Sequence, residues 1–187
     1  MLIIKKNLKS ILLKSDPIYD NRGWFNVALC MSDIKKLGIV FNGVEQLNHS
    51  FTQEAGVIRG LNYQSAPYEQ AKLIRCVKGS LYSVGVDIAV GSESFGKWCG
   101  FELRANDGYM MYVPRGYAHG FITLEENTEL EYFTDNVYSY ENAKSIRYDD
   151  PAIGIDWSAG GKIKPVTDIM SDKNKTAPYL SDLLTDL

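Results

Sequence analysis

Apolar and polar positions alternate in short runs through the middle of the chain, and glycine breaks the runs. Lys72-Leu73-Ile74-Arg75-Cys76-Val77 is one run, residues 81–88 are the next, and Lys78-Gly79 lies between them. In the second run Tyr82, Val84, Val86 and Ile88 share one face and Leu81, Ser83, Gly85 and Asp87 the other, which predicts a strand. Two such runs around a glycine-containing turn predict a hairpin. Residues 109–113 predict a further strand, ended by Pro114-Arg115-Gly116, and strands over 118–123 and 129–134 follow. Helical patterns are peripheral. Ser32-Asp33-Ile34-Lys35-Lys36-Leu37-Gly38 reads as a short helix with a serine cap and a glycine stop, and 179–187 as a helical turn or two. Many short strands with few short helices predict an all-β fold: a sandwich, barrel or jelly roll. A barrel closed at one end would hold a pocket lined by alternate side chains.

Composition narrows the class. A chain of 187 residues suits one domain, residues 1–187, with a core large enough to need no staples. The balance of 20 Lys and Arg against 23 Asp and Glu leaves a net charge of −3, which argues against general nucleic-acid binding. Cys30, Cys76 and Cys99 are too few and too widely spaced for a disulfide framework or a zinc site. Met1-Leu2-Ile3-Ile4-Lys5-Lys6 is no signal peptide, and no apolar run is long enough for a membrane span. A cytoplasmic location without membrane contact is the expectation.

Few residues can carry chemistry. The chain has only two histidines, His49 and His119, so a histidine-rich metal site is not expected. His119 is the better placed, because Pro114-Arg115-Gly116-Tyr117-Ala118-His119-Gly120-Phe121 ends a turn and its glycines allow close approach of a ligand. Lys72 is either a solvated strand end or a cation in a barrel mouth, able to polarise a carbonyl or hold a phosphate. Tyr132 shares a face with Leu130 and Thr134; it is either a packed core phenol or a general acid in a dry pocket. Arg59, between two glycines in a β segment, suits a bidentate phosphate clamp. Arg59 and Asn62 differ by three and would face opposite ways in a regular strand. Both can serve one site only through a bulge at Gly60 or through a second protomer.

Together these segments resemble one family, the dTDP-4-dehydrorhamnose 3,5-epimerases, or RmlC-like cupins. The matching stretches are Asp20-Asn21-Arg22-Gly23-Trp24-Phe25, Gln46-Leu47-Asn48-His49-Ser50, 56–64, Gln70-Ala71-Lys72-Leu73-Ile74-Arg75, Val86-Asp87-Ile88 and Ser94-Phe95-Gly96-Lys97-Trp98. Further on come 113–121, Glu131-Tyr132-Phe133-Thr134, Tyr138 and the run from Asp149-Asp150-Pro151 to Asp156-Trp157. The resemblance implies a cupin-type jelly-roll β-barrel and a homodimer with N-terminal strands exchanged between protomers. It also implies a nucleotide-linked 4-keto-6-deoxyhexose as substrate, dTDP- or CDP-linked, used in surface-polysaccharide or O-antigen synthesis without a cofactor or metal. In such a reaction a base removes a proton beside the C4 ketone, a cation supports the enolate, and an acid reprotonates the opposite face. Carried over, Tyr132 matches the acid, Lys72 the enolate-supporting cation and His119 the pocket histidine beside it. Arg59 matches a diphosphate-binding arginine, Arg22, Gln46 and Asn48 match nucleotide-site positions, and Tyr138 matches an aromatic near the substrate.

The departures fall on the base. The family's Gly-Leu-His-Tyr-Gln reads Gly60-Leu61-Asn62-Tyr63-Gln64, and a carboxamide accepts no proton near neutrality. The C-terminal Leu-Ser-x-Lys-Asp reads Met170-Ser171-Asp172-Lys173-Asn174, which turns the orienting Asp into Asn174, with Asp172 as a displaced alternative. Family carboxylates are also replaced at Ser83 and Val27. The candidate bases left are His119, Lys72 or a water held by Asn62, with His119 first because its ordinary pKa lies nearest neutrality. The favoured reading is an epimerase inverting one centre, C3 rather than C5. The alternative is a non-epimerising sugar-nucleotide-binding relative or a ketoisomerase.

Overall fold

The computed structural model describes residues 1–183. β1 (Leu2–Asn7) and β2 (Ser10–Lys14) pair antiparallel, and β3 (Ile18–Asp20) and β4 (Gly23–Phe25) form a separate small hairpin. After α1 (Met31–Lys36) come β5 (Gln46–Thr52), β6 (Ile58–Gln64), β7 (Lys72–Lys78) and β8 (Ser80–Asp87). β9 (Trp98–Arg104), β10 (Tyr109–Val113), β11 (Tyr117–Thr123), β12 (Thr128–Thr134) and β13 (Ala143–Ser145) complete the strands. α2 (Asp172–Lys175) and a 3₁₀ turn over Leu180–Leu183 end the described chain. Two antiparallel sheets face each other, β1-β2-β10-β7-β12-β5 and β13-β6-β11-β8-β9, a cupin-like jelly-roll arrangement. None of the described helices is long and apolar enough to cross a membrane.

The predicted strands are present, but β7 and β8 are not a hairpin. β7 pairs with β10 and β12 in one sheet, and β8 pairs with β9 and β11 in the other. Gly79, at φ +71°, turns the chain across the barrel between the sheets, with Thr128 packed too close to leave room for a Cβ. Alternation fixes which residues share a face and is silent on which strand lies alongside. The short helix also begins earlier than expected. Its N-cap is Cys30, and Ser32, inside the first turn, contacts the Cys30 sulfur instead of capping. Gly38 does stop it, at φ +71°. Of the predicted terminal turn, Leu180–Leu183 is helical and 184–187 lie outside the described residues.

Three apolar clusters hold the layers together. Ile74, Leu81, Leu103, Met111 and Leu130 fill the space between the sheets. Outside the six-stranded sheet, Leu13, Leu73 and Tyr112 pack under Ile34 of α1. Outside the five-stranded sheet, Val84, Val86 and Ile122 pack under Trp157, Met170 and Leu180 of the C-terminal segment. Both faces of β8 are therefore buried, and each fully buried aliphatic side chain contributes about 1.5–3 kcal/mol. The inter-sheet cluster fills only part of the barrel, and polar side chains line the rest.

Candidate functional site

Beyond the inter-sheet cluster, the barrel opens into a cleft. One cavity of about 300 Å³ is lined by Gln46, Asn48, Asn62, Lys72, Tyr132, Tyr138, Lys144, Lys173 and Asn174 among others. A second, of about 190 Å³, shares Asn62, Lys72 and Tyr132 and adds Ser50, Arg59 and His119. The walls come from both sheets. Lys72, Tyr132, Gln46 and Asn48 stand on β7, β12 and β5, while Arg59, Asn62 and His119 stand on β6 and β11. Eight of the nine residues singled out in the sequence thus meet in one place. Arg22 does not: its side chain is 86% exposed on the β3–β4 hairpin and pairs with Asp20 at 2.6 Å.

The Gly60 bulge predicted from the spacing of Arg59 and Asn62 is present. Against β11, His119 faces Asn62 and Phe121 faces Arg59, so three steps on β6 match two on β11. Gly60 sits at φ +118°, and a Cβ there would lie 2.6 Å from the Gly120 Cα. Only glycine fits, and the extra residue turns Arg59 and Asn62 to the same cavity. Arg59 is exposed at the rim, where one guanidinium nitrogen donates to the Phe51 carbonyl at 2.9 Å.

Lys72 is buried and lines both cavities, so it is not a solvated strand end. The adjoining backbone is clamped: the buried Asp135 carboxylate accepts from the Ala71 N–H at 2.7 Å and pairs with Arg115 at 3.1 Å. No carboxylate among the described residues lines either cavity, and the Lys72 ammonium lies 6.0 Å from the centre of the Tyr132 ring. Burial lowers its pKa to about 8. Burial likewise raises the Tyr132 phenol, against the opposing pull of Arg59, so the phenol stays protonated at neutral pH.

His119 is buried, and its Nε2 shares a hydrogen bond of 2.9 Å with the Ser83 hydroxyl. Burial first, then the charge of Lys72, holds its pKa well below the ordinary imidazole value. Ser83, the partner at Nε2, is uncharged, and no carboxylate among the described residues offsets that depression. This imidazole is neutral at pH 7, and the depression makes it a weaker proton acceptor than an ordinary histidine. His49 lies on the outer face of β5, 3.0 Å from Glu129 and half-exposed.

Asn62 and Asn174 are joined, as base and orienter would be. Asn174 Nδ2 donates to Asn62 Oδ1 at 3.1 Å, and the Ser145 hydroxyl donates to the same oxygen at 2.8 Å. The residue that reaches Asn62 is Asn174, whereas Asp172 is exposed on α2. Ser145 and Lys144, in a three-residue strand, carried no sequence signal, and Lys173, on a short helix, stood in the sequence only as the lysine of the C-terminal motif. Gln46 Oε1 accepts from the Tyr138 N–H at 3.1 Å, and Gln64 holds the neighbouring Val137 and Ser139 backbone, which sets Tyr138 at the mouth. Among the described residues no three His, Cys, Asp or Glu side chains converge.

Comparison with known proteins points the same way. The profile of the family described as dTDP-4-dehydrorhamnose 3,5-epimerase matches residues 7–182. The dTDP-4-dehydrorhamnose 3,5-epimerase of Sinorhizobium fredii is 37% identical over 172 residues, covering 92% of this chain and 85% of its own. The crystal structure of RmlC, the dTDP-6-deoxy-D-glucose-3,5-epimerase of Legionella pneumophila, in complex with dTDP-4-keto-L-rhamnose, superposes with a TM-score of 0.89 at 31% identity, covering 99% of this chain and 95% of that one. A histidine-to-asparagine, tyrosine-to-phenylalanine double mutant of ChmJ, a 3'-monoepimerase from Streptomyces bikiniensis solved in complex with dTDP, gives 0.84 at 27% identity, covering 97% and 88%.

Proposed function

The chain belongs to the dTDP-4-dehydrorhamnose 3,5-epimerase family, and from that premise we propose that it is an isomerase epimerising a dTDP-linked 4-keto-6-deoxyhexose at C3 alone. The observation that carries the substrate class is the charge of the cleft. Lys72, Lys144, Lys173 and Arg59 line it, and among the described residues no carboxylate does, which suits a diphosphate. The half-buried, protonated Tyr132 supports the role of acid in the cleft. Gln46, Asn48 and Tyr138 at the mouth suit the nucleoside end.

The restriction to one centre follows from the lost base. A proton acceptor outside the family's usual position approaches the ring from another angle and reaches one of the two carbons beside the ketone better than the other. C3 carries a hydroxyl that polar side chains can hold, whereas C5 offers only its methyl and the ring oxygen. We place the enzyme in the cytoplasm, in deoxysugar synthesis for surface polysaccharide; three free thiols suit a reducing compartment. It acts as a homodimer. Ile18, Tyr19, Trp24 and Phe25 of the β3–β4 hairpin are between 50% and 71% exposed, a cover that a second copy would supply while delivering Arg22 to its partner's cleft.

Incubation with a dTDP-4-keto-6-deoxyhexose in D₂O tests the reading. Deuterium at C3 with inversion there is expected. Tyr132→Phe should abolish product yet leave slow deuterium entry, because the acid acts after proton removal. Deuterium at C5 as well would remove the single-centre claim. Binding without exchange at either carbon would leave a non-epimerising sugar-nucleotide protein.

A further inference from the structure

The hydrogen bonds around Asn62 determine which way its amide faces. A backbone N–H can only donate, so the Gly60 N–H, 3.3 Å away, marks the Asn174 atom it meets as the oxygen. The Ser171 hydroxyl, at 3.0 Å, donates to the same oxygen. Asn174 Nδ2 is then the atom turned to Asn62, and as a donor it requires the Asn62 oxygen opposite it. Ser145 adds a second donor to that oxygen. Both lone pairs of Asn62 Oδ1 are occupied on the wall side, and its NH₂ is left for the cleft that the residue lines. The chain of donors starts at a peptide group that cannot flip, so Asn62 offers the substrate two N–H groups and no acceptor.

Such a group can support an oxyanion and cannot take a proton. Its neighbours divide the remaining work. His119 has its Nε2 engaged by Ser83 and feels the nearby Lys72 charge. Lys72 lines both cavities, and among the described residues that line them no carboxylate is present to hold it as an ammonium ion. Resting on the epimerase reading above, we infer that the duties of base and enolate support are exchanged in this chain: Asn62 donates to the C4 oxygen, and Lys72 in its amine form removes the C3 proton. In that step the C3–H bond breaks, its proton becomes the third N–H of the Lys72 ammonium, and the electron pair forms the C3–C4 double bond with the charge on O4. Tyr132 then gives its phenolic proton to the opposite face of C3, the C4 carbonyl re-forms, and the ammonium and phenolate left behind return to their starting states by proton exchange with water.

The sign of the pH dependence tests this without any mutation. The groups facing Lys72 are His119 from β11, Tyr132 from β12, Arg59 from β6, and Lys144, Lys173 and Tyr138 at the mouth. With Lys72 as base, wild-type deuterium exchange at C3 should rise about tenfold per pH unit from pH 6 and level off near 8, where the amine becomes the main form. With Lys72 as a supporting cation, exchange should fall above the same point. With neutral His119 as base it should be flat over this range. A falling or flat profile overturns the inference and leaves the epimerase reading standing; absence of exchange at every pH removes both. Lys72→Arg, which keeps the charge but holds its proton, should lose exchange while retaining dTDP binding. Asn62→Asp should lower exchange by about 10²–10³-fold, the cost of losing one oxyanion donor. Retention of the wild-type rate by either folded variant would also overturn the inference.

Discussion

Arg59 uses one nitrogen on the Phe51 carbonyl and keeps the rest of its guanidinium free at the rim. A diphosphate there would gain charge-assisted hydrogen bonds, which contribute about 1.5–3 kcal/mol each. Arg59→Ala should therefore weaken dTDP binding by about 10- to 150-fold in a titration, and an unchanged dissociation constant would take Arg59 out of the site. Much of the candidate site at this scale is legible in the sequence, Arg59 and Lys72 as cations in otherwise apolar strand segments, and Tyr132 and Asn62 through the family motifs that hold them. What is not legible is the support. Ser145 is one hydroxyl in a three-residue strand, and the link from Gly60 through Asn174 to Asn62 spans more than a hundred residues of chain. Nor can a pattern of residues show that Ser83 lies against His119 rather than against solvent.

Strand β6 shows what an element adds to its residues. Without the extra residue at Gly60, either Arg59 or Asn62 would face away from the cleft. Gly60→Ala should destabilise the protein by ~1–3 kcal/mol, because the new methyl meets the Gly120 backbone. Gly91→Ala is the control: its φ of +81° is also left-handed, but nothing lies within 4 Å. Thermal melts should place Gly60→Ala clearly below Gly91→Ala, and equal losses would mean that the contact with Gly120 is immaterial. The bulge was foreseeable from the need to bring two residues to one site. The crossing at Gly79 was not. Where both faces of β8 are buried, alternation between faces carries no information about the partner strand, and a two-residue turn reads the same within a sheet as between sheets.

Across the whole molecule, the proposed second copy would account for the exposed hairpin and the stranded Arg22 together. Equilibrium sedimentation should give a dimer, and a monomer at micromolar concentration would remove that proposal. Sharing of the site has a stricter test. Arg22→Ala and Tyr132→Phe chains should each be impaired alone, yet a refolded mixture should regain turnover, because each hybrid dimer holds one cleft with both residues intact. Failure to regain it would mean that Arg22 serves no partner.

The two walls of the cleft belong to different sheets, with Lys72 and Tyr132 on one and Asn62 and His119 on the other. The distance a sugar ring must bridge is thus a gauge of how far apart the sheets stand, and that spacing is set by Leu81, Leu103, Met111 and Leu130 packed between them. Those side chains act as shims. Shaving one should slow turnover, which needs Lys72 and Tyr132 on one wall and the oxyanion support of Asn62 on the other, before it disturbs the grip of Arg59 on a phosphate, which needs one. Random mutagenesis screened for turnover at intact nucleotide affinity should consequently return positions in this apolar layer, well away from any atom of the substrate.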